Sequence, residues 1–269
     1  MTCNDKNNLK VVYVAWGEKY INEAILSAGS YNKYNSGHSI TLVTNASEEL
    51  VSKIDVFDKV IKVRHRSNFQ FIKKIESMNY FIEKCDDGDN LLFLDTDTLI
   101  LKNIDHLQPL LKNNDLGLVE APLSPLGSIP GISDTDITDY EMSLPSYNSG
   151  LIFIKVSSKT RLLFKEVERN LNKTTTFKED QPILSILINR LNTKVQVLSK
   201  NFNYRGRGDL ICGSISVWHY PLQKLYVEND KRMFWGVASN CVIIPRNIIV
   251  SLILTLKLQV KKITSKWLY

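Results

Sequence analysis

The chain has 269 residues, of which 43% are hydrophobic and 23% are charged, a composition typical of a globular protein with one large or two small domains. Its four cysteines form no CxxC pair, which argues against a zinc module and fits a reducing compartment. The polar N-terminal residues lead straight into an apolar run, so we expect no signal peptide and no N-terminal anchor.

The net charge of +6 is concentrated at one end of the chain. Residues 231–269 contain seven Lys or Arg and no Asp or Glu, which leaves residues 1–230 with a net charge of −1. A nucleic-acid-binding groove needs basic side chains across the folded body. We therefore expect no nucleic-acid partner, one folded domain over residues 1–230 and a basic tail over residues 231–269.

Short apolar runs alternate with segments of helical spacing along the chain. The runs predict strands at 9–14, 39–43, 60–63, 91–94, 116–119, 151–154 and 194–198, and the spacing predicts helices at 21–34, 69–84, 161–170 and 182–191. This order is typical of βαβ units and predicts an α/β fold with a mostly parallel central sheet flanked by helices. The segment 121–147, rich in Pro, Gly and Asp, is too long for a simple connection, and such loops are often functional.

Three Asp-x-Asp sequences occur in different surroundings. Asp87-Gly88-Asp89 lies in a polar turn and Asp134-Thr135-Asp136 in the long loop, whereas Asp95-Thr96-Asp97 directly follows the apolar run LLFL. Ligands of open α/β sheets bind beyond the carboxyl ends of the strands. Two carboxylates there can share Mn²⁺ or Mg²⁺, whose other positions go to diphosphate oxygens. The alternative is a strand-end turn with two solvated aspartates, and this segment alone does not decide between them.

The segment LLFLDTDTL also fits the first motif of haloacid-dehalogenase-like phosphatases, in which the first Asp is a nucleophile and the second an acid/base. That fold usually opens with this strand, whereas about a third of this chain precedes it. It also needs a later acidic pair, and Gly208-Asp209 is followed by no second Asp. The phosphohydrolase stays an alternative.

The segments around Asp95-Thr96-Asp97, in chain order, resemble glycosyltransferase family 8, the group that contains glycogenin and bacterial lipopolysaccharide galactosyl- and glucosyltransferases. The resembling segments are VYVAWGEKYINEAILSAGSYNKY (12–34), Lys73-Lys74-Ile75, LLFLDTDTLILKNID (91–105), Glu120-Ala-Pro, PSYNSGLIFI (145–154), Glu179-Asp180-Gln181 and Trp218-His219-Tyr220. The resemblance implies a GT-A type nucleotide-diphospho-sugar transferase fold with a Rossmann-like sheet. It also implies transfer of a hexose from a nucleoside-diphosphate sugar, UDP-glucose or UDP-galactose, to a glycan or glycolipid with retention.

The resemblance assigns roles to individual residues. Asp95, Asp97 and His219 would bind Mn²⁺ or Mg²⁺. The donor would contact Ala15, Tyr20, Lys74, Asp95, Thr96, Ser149, Gly150 and Lys224, with Tyr20 on the base and Lys224 on the diphosphate. The segment around Lys224, His-Tyr-Pro-Leu-Gln-Lys, departs from the family because it lacks a glycine.

The reacting sugar would be lined by Asn148, Asp180 and Gln181, with Gln181 near the anomeric carbon and Asp180 on the donor hydroxyls. No residue stands out as a covalent nucleophile, which favours same-face transfer assisted by the leaving diphosphate. Each assignment has a structural alternative: a packed His219, a Tyr20 that only packs on its helix, a solvated Lys74, and Asp180 as the N-cap of a helix.

Apolar residues from Ile249 to Trp267 recur at helical spacing, with Lys257, Lys261 and Lys262 off that stripe. The stretch is shorter than the ~20 apolar residues that span a bilayer. The pattern favours a helix lying on an anionic membrane surface, and hence a cytoplasmic protein that is peripheral at a membrane. The alternative is a stripe that packs on the domain.

Three functions follow from these patterns. The chain is a glycosyltransferase, a phosphohydrolase that uses the Asp-x-Asp-x-Thr segment, or a non-catalytic relative that binds a nucleotide sugar.

Overall fold

A computed structural model of the chain describes residues 9–35, 37–47, 55–122, 124–129, 137–173, 179–205 and 214–219, together with the backbone of 235–237 and 240–242. Lys224 and the predicted tail helix lie outside these residues. None of the helices among the described residues is both long and apolar enough to cross a membrane.

Seven strands form the central sheet of the described chain. They are β1 (Lys10–Ala15), β2 (Ser39–Thr44), β3 (Lys59–Lys62), β4 (Asn90–Leu94), β6 (Leu116–Glu120), β7 (Tyr147–Lys155) and β8 (Val195–Leu198), in the spatial order β3-β2-β1-β4-β7-β6-β8. All neighbouring strands are parallel except β7, which runs antiparallel to both β4 and β6. Two small antiparallel pairs stand apart from this sheet: β5 (Thr98–Ile100) with β9 (Val217–His219), and β10 (Trp235–Val237) with β11 (Asn240–Val242).

The helices connect these strands as the spacing predicts. They are α1 (Gly17–Tyr34), α2 (Gln70–Ile82), α3 (Asp139–Met142), α4 (Ser158–Lys173) and α5 (Asp180–Arg190), with short 3₁₀ helices at Asp105–Lys112, Leu126–Ser128 and Lys200–Phe202. Every predicted strand and helix within the described residues is present, with its ends moved by a few residues. The long segment 121–147 contains α3 and one of the 3₁₀ helices.

A hydrophobic layer covers each face of the sheet, because successive side chains of a strand point to opposite sides. Val12 and Phe93 pack with α2, α4 and α5 on one face. Val11 and Leu92 pack with α1 on the other face. The sheet is thus buried on both sides, as the continuous apolar runs of its strands require.

The antiparallel direction of β7 brings distant residues to the carboxyl edge of the sheet. Leu151 of β7 lies opposite Leu94, the last residue of β4. The residues of β7 that precede Leu151 therefore reach beyond the end of β4, beside the turn that follows it. The apolar run 151–154 predicts the strand but neither its direction nor its extension back to Tyr147.

Candidate metal centre

The turn Asp95–Asp97 joins β4 to β5 and is closed by hydrogen bonds from both sides. The Asp95 N–H donates to the Gly150 carbonyl at 2.9 Å. The Thr98 hydroxyl donates to the Asp95 carbonyl at 2.8 Å. Both aspartates are half-buried, and Thr96 between them is buried. The Asp-x-Asp segment is therefore an ordered turn and not a loose solvated one.

His219 completes a three-residue cluster with these aspartates. Its strand β9 pairs with β5, which places His219 opposite Thr98. The His219 Nε2 atom lies 3.0 Å from Asp97 Oδ1 and 3.7 Å from Asp95 Oδ2. Burial would raise the pKa of the Asp97 carboxyl, but the hydrogen bond and the charge of His219 lower it. His219 is buried because its nitrogen faces this cluster, not because it fills a hydrophobic core.

The three side chains offer two carboxylate oxygens and one imidazole nitrogen, all within 4.8 Å of one another. Carboxylates and imidazole are ligands of first-row divalent cations, and carboxylates are ligands of Mg²⁺ as well. The donor set therefore fits a divalent cation, with room left in its coordination shell for ligand oxygens.

Lys74 reaches the same place from α2. Its Nζ lies 2.7 Å from Asp95 Oδ1 and 3.2 Å from Asp180 Oδ2, and donates to the Ser149 carbonyl at 2.9 Å. Burial alone would lower the pKa of this ammonium, but the carboxylates of Asp180 and Asp95 outweigh it and raise the pKa. The alternative of a solvated Lys74 is therefore wrong, since the charge is buried and paired.

Asp180 is the first residue of α5, and Glu179 occupies the N-cap position. The Asp180 carboxylate turns to Lys74, so the alternative of Asp180 as a helix cap is also wrong. Its neighbour Gln181 accepts a hydrogen bond at 3.2 Å from the Asn148 side-chain amide. Asp180 and Gln181 thus lie beside the cluster of Asp95, Asp97 and His219 through side-chain contacts.

Gly150 is required by the close approach of β7 to His219. A Cβ atom at this position would lie 2.1 Å from His219 Cε1 and 2.4 Å from His219 Nδ1. No side chain can be accommodated at those distances without moving the ring. The Asn148-Ser149-Gly150 segment therefore contributes three features to one site: the Asn148 side-chain amide, the Ser149 carbonyl, and at Gly150 the absence of a side chain, which lets the His219 ring approach.

The other predicted donor contacts lie on neighbouring elements. Ala15 is the buried last residue of β1. Tyr20, on the first turn of α1, has its ring centroid 5.9 Å from that of Trp16 and its hydroxyl 3.4 Å from Gln70 Oε1. These residues lie at the carboxyl end of β1, which pairs with β4.

Two residues of the site, Glu23 and Asn203, belong to no motif that the sequence analysis used to predict site residues. Glu23 of α1 accepts a hydrogen bond from the Thr96 hydroxyl at 3.1 Å, and burial raises the pKa of its carboxyl. Asn203 bonds His219 and Asn148. Glu23 falls on the buried side of α1, and Asn203 stands between Phe202 and Tyr204. A polar residue in such apolar surroundings is the signal that could have indicated both.

Comparison with known proteins finds one family model that matches the part of the chain around this site. The family model for nucleotide-diphospho-sugar transferases matches residues 83–211, which include the Asp-x-Asp turn, Asn148 and Asp180. A search of curated proteins finds no match.

Solved structures share the fold at low sequence identity. The galactosyltransferase LgtC, in complex with donor and acceptor sugar analogues, is 18% identical, with a TM-score of 0.59 over 78% of this chain and 86% of that one. Mouse xyloside xylosyltransferase 1 is 12% identical, with a TM-score of 0.55 over 79% and 97% of the two chains. GlyE of Streptococcus pneumoniae TIGR4 is 15% identical, with a TM-score of 0.55 over 79% and 55%. Together, the family match over residues 83–211 and the shared fold support a glycosyltransferase of the GT-A type.

Proposed function

We propose that the protein transfers a hexose from UDP-glucose or UDP-galactose to a glycan or glycolipid, with retention and with Mn²⁺ or Mg²⁺ held by Asp95, Asp97 and His219. The convergence of these three ligands at the carboxyl end of β4 is the observation that carries the proposal. The LgtC complex with donor and acceptor sugar analogues supports a donor and acceptor pair for this fold. A bound cation supplies positive charge that stabilises the leaving nucleoside diphosphate.

The protein's own charges are arranged before substrate arrives. Lys74 holds the carboxylates of Asp95 and Asp180 on either side of its ammonium group. Asp180 is only 2% exposed, and its position next to the metal ligands suits an acceptor for hydroxyls of the donor sugar. Thr96, Ser149 and Gly150 would then shape the wall against which the donor lies.

Gln181 and Asn148 would face the reacting carbon. Because Gln181 Oε1 accepts from Asn148, the Gln181 amide group is left to donate to a ligand. Asp180 is paired with Lys74, which makes it a poor covalent nucleophile. This pairing supports same-face transfer in which the departing diphosphate assists the acceptor, the stereochemistry that the resemblance to family 8 implies.

The proposal extends to residues away from the metal cluster, and Lys224 and the basic tail lie outside the described part of the chain. Ala15 and Tyr20 would bind the nucleoside, and Lys224 the diphosphate. The basic tail would hold the enzyme on the cytoplasmic side of an anionic membrane, where a glycolipid acceptor is available. The charge of residues 231–269 and their apolar stripe support this location.

The test is release of nucleoside diphosphate from a panel of UDP- and GDP-sugars with Mn²⁺. We expect release that requires the metal and is abolished by Asp97→Ala. Asp87→Ala is the matched control, because Asp87 belongs to another Asp-x-Asp sequence and its side chain is 69% exposed in a pair with Arg161. Turnover of phosphate esters without a nucleotide sugar would favour the phosphohydrolase, and donor binding without turnover the non-catalytic relative.

A further inference from the structure

We propose that Asn203 is a positioning residue that fixes the tautomer of His219, so that Nε2 presents a lone pair to the metal. The proposal rests on the metal-dependent function proposed above. Asn203 follows the 3₁₀ helix Lys200–Phe202 and is only 3% exposed. Among the described residues it forms no hydrogen bond with either aspartate, so its effect on the cation passes through His219 or through Asn148.

The hydrogen-bond directions can be read from one backbone group. The Gly150 N–H can only donate, and it lies 2.8 Å from Asn148 Oδ1, which is therefore an acceptor. Asn203 Nδ2 lies 2.5 Å from the same oxygen and must also donate to it. A flipped Asn203 would place two oxygens against each other at that distance.

This assignment leaves Asn203 Oδ1 for the histidine. Asn203 Oδ1 lies 2.9 Å from His219 Nδ1, so Nδ1 must carry the proton and donate it. A cation at Nε2 displaces only the proton that this nitrogen shares with Asp97, and in the neutral imidazole that results Nε2 supplies the lone pair. That nitrogen, Nε2, is the atom that faces Asp95 and Asp97. The hydrogen bonds that link Gly150, Asn148 and Asn203 to His219 thus determine which ring nitrogen can bind a cation.

Burial makes this arrangement hard to replace. Asn148 and Asn203 are each 3% exposed and His219 is 7% exposed, so solvent does not readily supply another acceptor to Nδ1. Groups that hold the second nitrogen of a metal-binding histidine typically change metal affinity about 10- to 100-fold when they are removed. We expect a loss in this range for Asn203→Leu, which keeps the branching of the side chain and removes the acceptor.

The experiment compares three variants by titration with Mn²⁺ alone and by thermal unfolding without metal. Asn203→Leu should lose stability and about 10- to 100-fold in Mn²⁺ affinity. Asn203→Asp keeps an acceptor for Nδ1–H but loses the donor to Asn148, so it should lose stability yet retain the affinity. Asn79→Leu is the control, because Asn79 is buried in α2 and bonds the Phe164 carbonyl and Glu168, away from the site. It should lose stability only.

The ¹⁵N chemical shifts of His219 in Mg²⁺-saturated wild-type protein give a separate reading. We expect the proton on Nδ1. A proton on Nε2, or a folded Asn203→Leu variant with wild-type Mn²⁺ affinity, would overturn the inference. A wild-type protein that binds the cation with its His219 proton on Nδ1 but transfers no sugar would refute the proposed function and leave the tautomer assignment standing.

Discussion

Gly150→Ala adds one carbon at the point where β7 meets His219. The new Cβ would lie 2.1 Å from His219 Cε1, 2.4 Å from His219 Nδ1 and 2.9 Å from Asn148 Oδ1. Carbon atoms in contact are about 3.5 Å apart, so the ring or the strand must retreat by about 1.4 Å. The ring is buried, bonded at Nδ1 to Asn203 and carried by a strand paired with β5.

Two magnitudes follow from this displacement. Overpacking of this kind destabilises a protein by about 1–3 kcal/mol. A metal ligand is held to within about 0.2 Å of its ideal distance, so a movement of about 1.4 Å removes His219 from the metal. We expect the Mn²⁺ affinity to fall by at least about 100-fold, the upper end of what loss of an outer-shell partner causes.

The assay combines Mn²⁺ titration with urea unfolding of the metal-free protein. Gly29→Ala is the matched control, because Gly29 is exposed in α1 and a Cβ there meets no atom within 4 Å. Alanine is the better helix former, so this control should gain about 0.5–1 kcal/mol and bind Mn²⁺ normally. A Gly150→Ala protein that binds Mn²⁺ as tightly as wild type would refute the assigned packing of His219.

Two further predictions concern the charge beside the metal ligands and the basic tail. Lys74→Met leaves the Asp95 and Asp180 carboxylates without their cation and should destabilise the protein by about 3 kcal/mol in urea unfolding, with loss of sugar transfer. Lys73→Met, which removes a cation 5.9 Å from the Trp16 ring, should change stability by less than about 1 kcal/mol, and equal losses in both variants would contradict the buried pairing. Truncation after Arg246 should abolish binding to phosphatidylserine vesicles and leave UDP-sugar hydrolysis intact, whereas unchanged vesicle binding would remove the basis for a membrane location.

The sequence predicts the parts of this site that depend on local pattern or on a family motif. The run LLFL identifies β4, and the motif after it identifies the turn. The position of Lys74 on α2 is also predictable. Its burial is not, because it depends on Ser149 and Asp180, which approach from β7 and α5. The spacing of apolar residues predicts where a helix forms. It does not predict which other elements of the fold will pack over the polar residues of that helix.

The direction of β7 is the clearest example of this limit. An apolar run indicates a strand, but parallel and antiparallel pairing both satisfy it. Only the antiparallel register brings Gly150 against Asp95 and so delivers Asn148 to the carboxyl edge. Asn203 escapes prediction for a similar reason, since its partners lie 55 residues before it and 16 residues after it.

The charge of the assembled site is consistent with the cation assigned to it. Asp95, Asp97 and Asp180 carry three formal negative charges, and Lys74 supplies one positive charge. A neutral His219 in the tautomer set by Asn203 leaves the group at a formal charge of −2, which one divalent cation neutralises. A nucleoside diphosphate would then meet a neutral site with open metal positions and not a cluster of carboxylates. Removing Lys74 would leave this group at a formal charge of −3, whereas the other neutral tautomer of His219 would leave the charge unchanged and replace the Nε2 lone pair with an N–H. Lys74→Met and Asn203→Leu should therefore differ in their effects on metal affinity and stability.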